Sequence, residues 1–411
     1  MSNEAMVAAV VGALLVGLLI GVPVATAEDS ADAAGFIYGQ VKTRAGGSYE
    51  GFIRWGDEEA FWGDHFNSTK EDLPYLKYVP RRERRVPVEV FGIRIGVRGD
   101  WGEGSRQLVV RFGDLDSIEV LRGEDAELKL RNGTVIEVSG GSNDIGADLV
   151  VRDREAGLIE VPWRKVASVR FMAVPAGAKP YADRLFGKVT TADRSFEGFI
   201  QWDSQECLSS DKLDGESDDG KLSIEFGRIR AIERLSRSRS RVELADGRSV
   251  TLSGTNDVDE DIRGIWVEDP RVGRVKVPWE VFRRAEFSRA PSSGPAYGSY
   301  AAPTALRGTV RDTEGKTSRG RIVFDLDEAE SWEMLDGTVD GVDYSIPFGM
   351  VASISPQGRH GSKVTLRNGT ELRMEDSQDV SEDNSGVLVI AGPEGEPRYL
   401  HWDEVARLDL E

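Results

Sequence analysis

Val161-Pro162-Trp163-Arg164-Lys165-Val166-Ala167-Ser168-Val169 is one of six copies of a nine-residue phrase in this chain. Each copy places an aliphatic residue two positions before a Phe or Trp, and apolar residues three and six positions after it. The other five centre on Phe112, Phe226, Trp279, Phe348 and Trp402. Leu115 and Ile118 follow the first of these, Ile229 and Ile232 the second, and Phe282 and Ala285 the third. Val351 with Ile354 and Val405 with Leu408 complete the set. A phrase returning at this rate marks an array of small supersecondary units. Its aromatics stand beside Val, Ile and Leu at apolar periodicity. They therefore read as core side chains rather than as a row of rings that stack on a ligand.

Around the phrase lie three longer repeats. Each opens with a hairpin pattern: Gly39 to Thr43 with Gly51 to Trp55, Gly187 to Thr191 with Gly198 to Trp202, and Gly308 to Val310 with Gly320 to Phe324. Alternation at period two, punctuated by Gly, is the mark of half-buried antiparallel strands. A Glu stands four residues after each closing aromatic, at Glu59, Glu206 and Glu328. The second half of each repeat carries another hairpin signal, Asn132-Gly133, Asp246-Gly247 or Asn368-Gly369, for which a type I′ turn is expected. Paired phrases are 51, 53 and 54 residues apart, which suits five short strands and their turns. The expectation is an all-β protein of three tandem repeats, each a pair of small barrels. The divisions are 1–27, a signal peptide or uncleaved anchor; 28–173, repeat 1; 184–287, repeat 2; 288–304, a linker rich in Pro, Ser, Gly, Ala and Tyr; and 305–411, repeat 3.

The opening pattern, Val-x-Thr, a polar turn, then Gly-x-Ile-x-Trp and acids, resembles the first motif of Sm-like and other SH3-like small barrels. The resemblance implies an SH3-like/Sm-like barrel fold for each module. The second, RNA-contacting motif of Sm-like proteins has no counterpart here, so an RNA-binding role does not carry over, and fold alone does not give function.

Composition bounds the rest. The chain has 411 residues and a formal charge of −19, a balance that repels phosphate backbones and anionic membrane surfaces. Ala5 to Val24 is almost wholly apolar, Pro23 interrupts it, and Ala25-Thr26-Ala27 offers a small-x-small cleavage pattern. This reads as an export signal, placing the mature chain in a bacterial periplasm or outside the cell. If uncleaved, it is the one membrane tether expected. Cys207 is the single cysteine, so no intramolecular disulfide forms and packed cores must supply stability.

Three candidates compete for function. A polar trio recurs after the second hairpin as Ser142-Asn143-Asp144, Thr255-Asn256-Asp257 and Ser377-Gln378-Asp379. Three copies suit a repeated ligand site, while Asn and Asp also cap tight turns without a ligand. Carboxylates cluster at Asp57-Glu58-Glu59, Asp203 with Glu206, Asp325 to Glu328 and Glu216 to Asp219. They lack ordered calcium-loop spacing and are expected to form solvated acidic faces, with no metal or cofactor. The third candidate is an insertion at about 70–102: 45 residues separate Asn67 from Phe112, against 12 from Asp214 to Phe226. Its Tyr75, Tyr78, Arg81, Arg82, Arg84, Arg85 and Trp101 make a basic, aromatic loop that suits docking an acidic partner or another copy of the protein, and equally suits a solvated elaboration that salt-bridges to neighbouring acids. No Gly-x-Ser-x-Gly elbow, His-x-x-x-His pair or phosphate loop is present. These features point to a non-enzymatic envelope scaffold whose partner is a protein or an envelope polymer. A carbohydrate-binding array using the trio loops and Trp266 is one alternative, and a hydrolase with a site between barrels is another.

Overall fold

The computed structural model describes residues 32–70, 74–80, 88–90, 93–96, 106–140, 144–300, 302–392 and 396–411. The leader lies outside them, as do Arg81, Arg82, Arg84, Arg85, Trp101, Ser142 and Asn143. Among the described residues no helix is long and apolar enough to cross a membrane.

All six phrase aromatics are buried, none more than 5% exposed. They sit on tight turns between strands. Phe112, Trp163, Phe226, Phe348 and Trp402 each begin a three-residue 3-10 helix, and Trp279 occupies a turn closed by Val281 N–H to Pro278 O. Pro fits the position before the aromatic because its fixed φ already matches the entry, −56° at Pro162 and −54° at Pro347. In the sixth copy His401 replaces Pro and restores an N–H, which donates to Glu404 Oε2 at 3.0 Å.

In repeat 1 the strands are β1 (Tyr38–Thr43), β2 (Ser48–Trp55), β3 (His65–Lys70), β4 (Val88–Val90), β5 (Ile93–Gly96) and β6 (Arg106–Arg111). They continue as β7 (Leu115–Val120), β8 (Ala126–Leu130), β9 (Val135–Ser139), β10 (Leu149–Asp153), β11 (Gly157–Val161) and β12 (Val166–Phe171). Ten form one antiparallel sheet in the order β11-β10-β2-β1-β12-β7-β8-β9-β3-β6.

Repeat 2 contains β13 (Phe186–Thr191), β14 (Ser195–Gln201), β15 (Lys212–Ser217), β16 (Gly220–Glu225) and β17 (Ile229–Arg234). After these come β18 (Ser240–Leu244), β19 (Ser249–Leu252), β20 (Ile265–Asp269), β21 (Gly273–Val277) and β22 (Phe282–Ser288). Repeat 3 contains β23 (Arg307–Asp312), β24 (Thr317–Phe324), β25 (Met334–Val339), β26 (Val342–Pro347) and β27 (Val351–Pro356). It ends with β28 (Gly361–Leu366), β29 (Glu371–Glu375), β30 (Val387–Ile390), β31 (Arg398–Leu400) and β32 (Val405–Leu410). Their pairings repeat the order of the first sheet: β21-β20-β14-β13-β22-β17-β18-β19, with β15-β16 joined by the Glu216–Ser253 bridge, and β31-β30-β24-β23-β32-β27-β28-β29-β25-β26.

The paired-barrel expectation is corrected by these ladders. The sheets are antiparallel but do not close into barrels. Nor is either half of a repeat self-contained. The opening hairpin β1–β2 pairs with β10 and β12 from the end of the repeat, while the inner hairpin β8–β9 pairs with β7 and β3 from its middle. Each half thus lends its hairpin to the other. Alternation identifies a strand and its buried face but is silent about its partner, so this exchange was invisible in sequence.

Glycines allow the crossing. Gly39 faces Gly51 across the first hairpin, and Gly187 faces Gly198 in the second repeat. A Cβ on Gly51 would meet the carbonyl of Arg152, and one on Gly198 that of Glu268. The Asn-Gly and Asp-Gly hairpins also form, though not through type I′ turns. Only the glycine is left-handed, with φ of 86° to 87° at Gly133, Gly247 and Gly369, while the preceding Asn or Asp has ordinary φ. Its side chain instead accepts from the residue two positions on, as in Thr134 N–H to Asn132 Oδ1 at 2.9 Å.

Residues Ala31–Glu411 form one compact unit. The connection from 288 to 304 is not a free spacer. Tyr300 is 8% exposed within the core of repeat 1, Tyr297 Oη donates to Leu115 O at 2.7 Å, and Gly35 N–H donates to Ser293 Oγ at 2.8 Å.

Candidate functional site

A carboxylate niche recurs where the second strand of each repeat ends. Trp55 and Phe324 end β2 and β24, Trp202 directly follows β14, and a tight turn folds the following Glu back against each aromatic. Trp202 N–H donates to Glu206 O at 2.7 Å, with matching bonds at Glu59 and Glu328. Left-handed residues make the turn possible: Gly56 in repeat 1, Asp203 and Ser204 in repeat 2, Asp325 and Leu326 in repeat 3. The last residue of the polar trio borders each niche. Asp144, Asp257 and Asp379 accept through Oδ2 from the backbone N–H of Asn67, Asp214 and Asp336, at 2.5, 2.6 and 2.7 Å.

Those aspartates also bind the aromatics. Trp55 Nε1 donates to Asp144 O and Trp202 Nε1 to Asp257 O, both at 2.8 Å. The Phe324 side chain has no N–H to give, and in repeat 3 Asn384 Nδ2 donates to Asp379 O at 2.8 Å instead. Thr255 Oγ1 donates to Asp214 O at 2.7 Å and Ser377 Oγ to Asp336 O at 2.6 Å. Asn256 donates to Asp203 and Gln378 to Asp325. The trio therefore latches one half of the repeat to the other. Among the described trio residues, every side chain makes at least one hydrogen bond inside the protein.

The expected solvated acidic faces are corrected at three of the four clusters. Glu59, Asp203, Asp325 and Asp327 are buried and Glu206 and Glu328 are half-buried, whereas Glu216, Asp218 and Asp219 stay exposed. Burial pushes Glu206 up to about 8, with Asp257 adding repulsion, and pushes Glu59 and Glu328 well above the usual carboxylate range. Burial likewise raises Asp144 to about 7 and Asp257 to about 6. The acids were legible as a pattern, four residues after each aromatic, but their burial depends on the turn that folds them inward.

Two of these clusters gather three carboxylate oxygens within 4.8 Å: Asp203, Glu206 and Asp257, and Asp325, Asp327 and Glu328. A calcium ion needs six to eight oxygens. Protein cations already engage both groups. Arg263 pairs with Asp203 at 3.0 Å and with Glu58 of repeat 1 at 3.5 Å. From repeat 1, Arg106 reaches Asp325 at 3.3 Å and Lys70 reaches Asp327 at 3.8 Å and Glu333 at 3.2 Å. The niche of repeat 3 is a socket for cations from repeat 1, whereas in repeat 2 its own Arg263 joins Asp203 to Glu58 of repeat 1.

Tyr75 and Val79 of the insertion lie against repeat 3. Tyr75 Oη accepts from Arg321 Nη2 at 3.1 Å, and Val79 is 2% exposed among Val323, Leu326, Ala329 and Leu388. Tyr78 is 40% exposed. Trp266 donates through Nε1 to Ser204 Oγ at 3.0 Å, and its ring lies under Arg274. Cys207 is 3% exposed at the boundary of repeats 1 and 2, where burial pushes its thiol well above the ordinary range. No protein-family model matches the chain, and neither a curated protein nor a solved structure matches it.

Proposed function

We propose that this chain is a non-enzymatic, exported scaffold of the bacterial cell envelope, in which interlocked repeats hold several surfaces in fixed relation. The observation that carries this reading is the internal use of the recurring motifs among the described residues. The phrase aromatics fill cores, the described trio residues latch strands, Asp325 and Asp327 receive arginine and lysine from repeat 1, and Arg263 ties Asp203 to Glu58 of repeat 1. Rigid presentation of several faces gives avidity from individually weak contacts. Kinship of the five-strand halves with Sm-like and SH3-like modules is part of the same proposal and rests on their opening hairpins.

Calorimetry with soluble envelope polysaccharides, alongside a hydrolysis assay on the same polymers, tests the reading. The expected outcome is no saturable binding and no turnover, while Asp257→Ala lowers stability by about 1–3 kcal/mol through the unsatisfied Asp214 N–H. Saturable binding abolished by Asn256→Ala or Trp266→Ala would replace the scaffold with a carbohydrate-binding array. Turnover abolished by Glu206→Gln would replace it with a hydrolase.

A further inference from the structure

Repeats 2 and 3 share a ladder between two edge strands. β21 pairs antiparallel with β26, setting Arg274 opposite Ser345, Val275 opposite Tyr344 and Lys276 opposite Asp343. Repeat 1 carries the counterpart of β21 in β11 by its position in the strand order, and repeat 2 carries the counterpart of β26 in β16 by its matching hairpin with β15 and the Glu216–Ser253 bridge. Among the described residues, β11 pairs with β10 alone and β16 with β15 alone. Each edge therefore offers a row of unpaired backbone donors and acceptors.

Transferring the register of the formed joint onto the open edges gives three facing pairs. Their internal pairings fix the correspondence: Arg274, Val275 and Lys276 map to Leu158, Ile159 and Glu160, while Ser345, Tyr344 and Asp343 map to Ser223, Leu222 and Lys221. Leu158 then faces Ser223, Ile159 faces Leu222 and Glu160 faces Lys221. The central apolar pair is kept. The charged pair is kept too, with both signs reversed. Leu158 is 61% exposed and Leu222 38%, two of the few large apolar side chains left in solvent.

We propose that β11 of one molecule pairs with β16 of a second copy, reproducing between chains the joint that β21 and β26 make within one. The chemistry names the occupant: the edge that matches β11 in apolar register and charge is present on this same chain. Because the two edges differ, the contact is heterologous, and copies add head to tail into open chains unless the geometry closes a ring. Each contact is short, so a single joint is weak, on the order of 0.1 mM or poorer. The inference goes beyond the scaffold reading and does not depend on it, since a monomeric protein would still be free to hold other partners.

Charge reversal in the full mature chain tests it. Glu160 and Lys221 are both exposed, and circular dichroism should show each variant folded. Sedimentation velocity across a concentration series should show the unaltered protein associating, with each of Glu160→Lys and Lys221→Glu weakening association at least about tenfold. Lys221→Glu also places an acid opposite Glu216 within its own hairpin. A specific readout is therefore the mixture of the two variants. There the lysine introduced on β11 of one variant meets the glutamate introduced on β16 of the other, and the remaining native Glu160 meets the remaining native Lys221. Two variants that fail to associate alone should therefore associate when combined, as should the double variant. The proposal is overturned if the unaltered protein stays monomeric to about 1 mM. It is also overturned if single reversals leave association unchanged, or if neither the mixture nor the double variant recovers it.

Discussion

Repeats 2 and 3 meet through a shared β ladder, whereas repeats 1 and 2 meet through guanidinium groups. In the first junction backbone pairs with backbone over Arg274 to Lys276 and Asp343 to Ser345. In the second, Arg184 of repeat 2 lies between the rings of Phe61 and Phe199 and binds Asp64 at 3.3 Å and Glu268 at 2.8 Å. Arg54 reaches across to Asp211 at 2.8 Å. A ladder uses groups every residue carries, so it tolerates sequence change and can recur at any matching edge. An ion-pair junction depends on single side chains placed in low-dielectric surroundings. One chain contains both solutions, and they should fail differently.

Removing Arg184 should do the most damage. Its side chain is 3% exposed, and Arg184→Ala leaves Asp64 without its cation in a buried site. A loss of about 3–5 kcal/mol is expected in urea unfolding, and a loss below about 1 kcal/mol would show that the junction does not depend on this pair. At the ladder junction the contrast between formed and open edges is the sharper probe. Val275→Ala in β21 should cost about 2 kcal/mol, and the matching Ile159→Ala in β11 under about 1 kcal/mol. Equal losses would mean that the β11 edge is as covered as the β21 edge.

The smallest effect concerns pH beside the ion-pair junction. Burial raises Glu206 from an ordinary value of 4.5 to about 8. The folded state therefore holds a proton that the unfolded state releases earlier. Stability from protonated Glu206 is present in full below pH 4.5 and drains away as pH rises through about 8. Glu206→Gln removes that slope. It should raise stability at pH 8.5 by on the order of 1 kcal/mol relative to the unaltered protein, with little change at pH 4. An unchanged slope between pH 5 and 8 would assign the titration to Asp144 or Asp257 instead.

Much of the fold was legible because its signals are local. The six phrases gave the buried aromatics, period-two alternation gave the strands, and the Asn-Gly pairs gave the hairpins. The type of turn differs from the expectation because Asn132 keeps ordinary φ and bonds Thr134, leaving only Gly133 left-handed. The trio was visible as a motif, but its bonds to Asn67, Asp214 and Asp336 in the other half of each repeat were not, because those partners lie 43 to 77 positions away. The niche was half visible. Glu59, Glu206 and Glu328 recur at fixed spacing, yet a run such as Asp325 to Glu328 looks solvated until a left-handed turn and two cations from repeat 1 enclose it.

By itself the sequence determined an all-β chain, the identity of its core aromatics and the position of the Asn-Gly and Asp-Gly hairpin turns, because these follow from residue volume, alternation and backbone preference over a few neighbours. Tertiary structure alone decided which hairpin serves which half, which carboxylates lose their water and which edges remain open. Those outcomes depend on pairing between segments far apart in the chain. A β edge has the same backbone donors and acceptors whatever partner it meets, so register and partner are settled only when the whole set of strands competes for them.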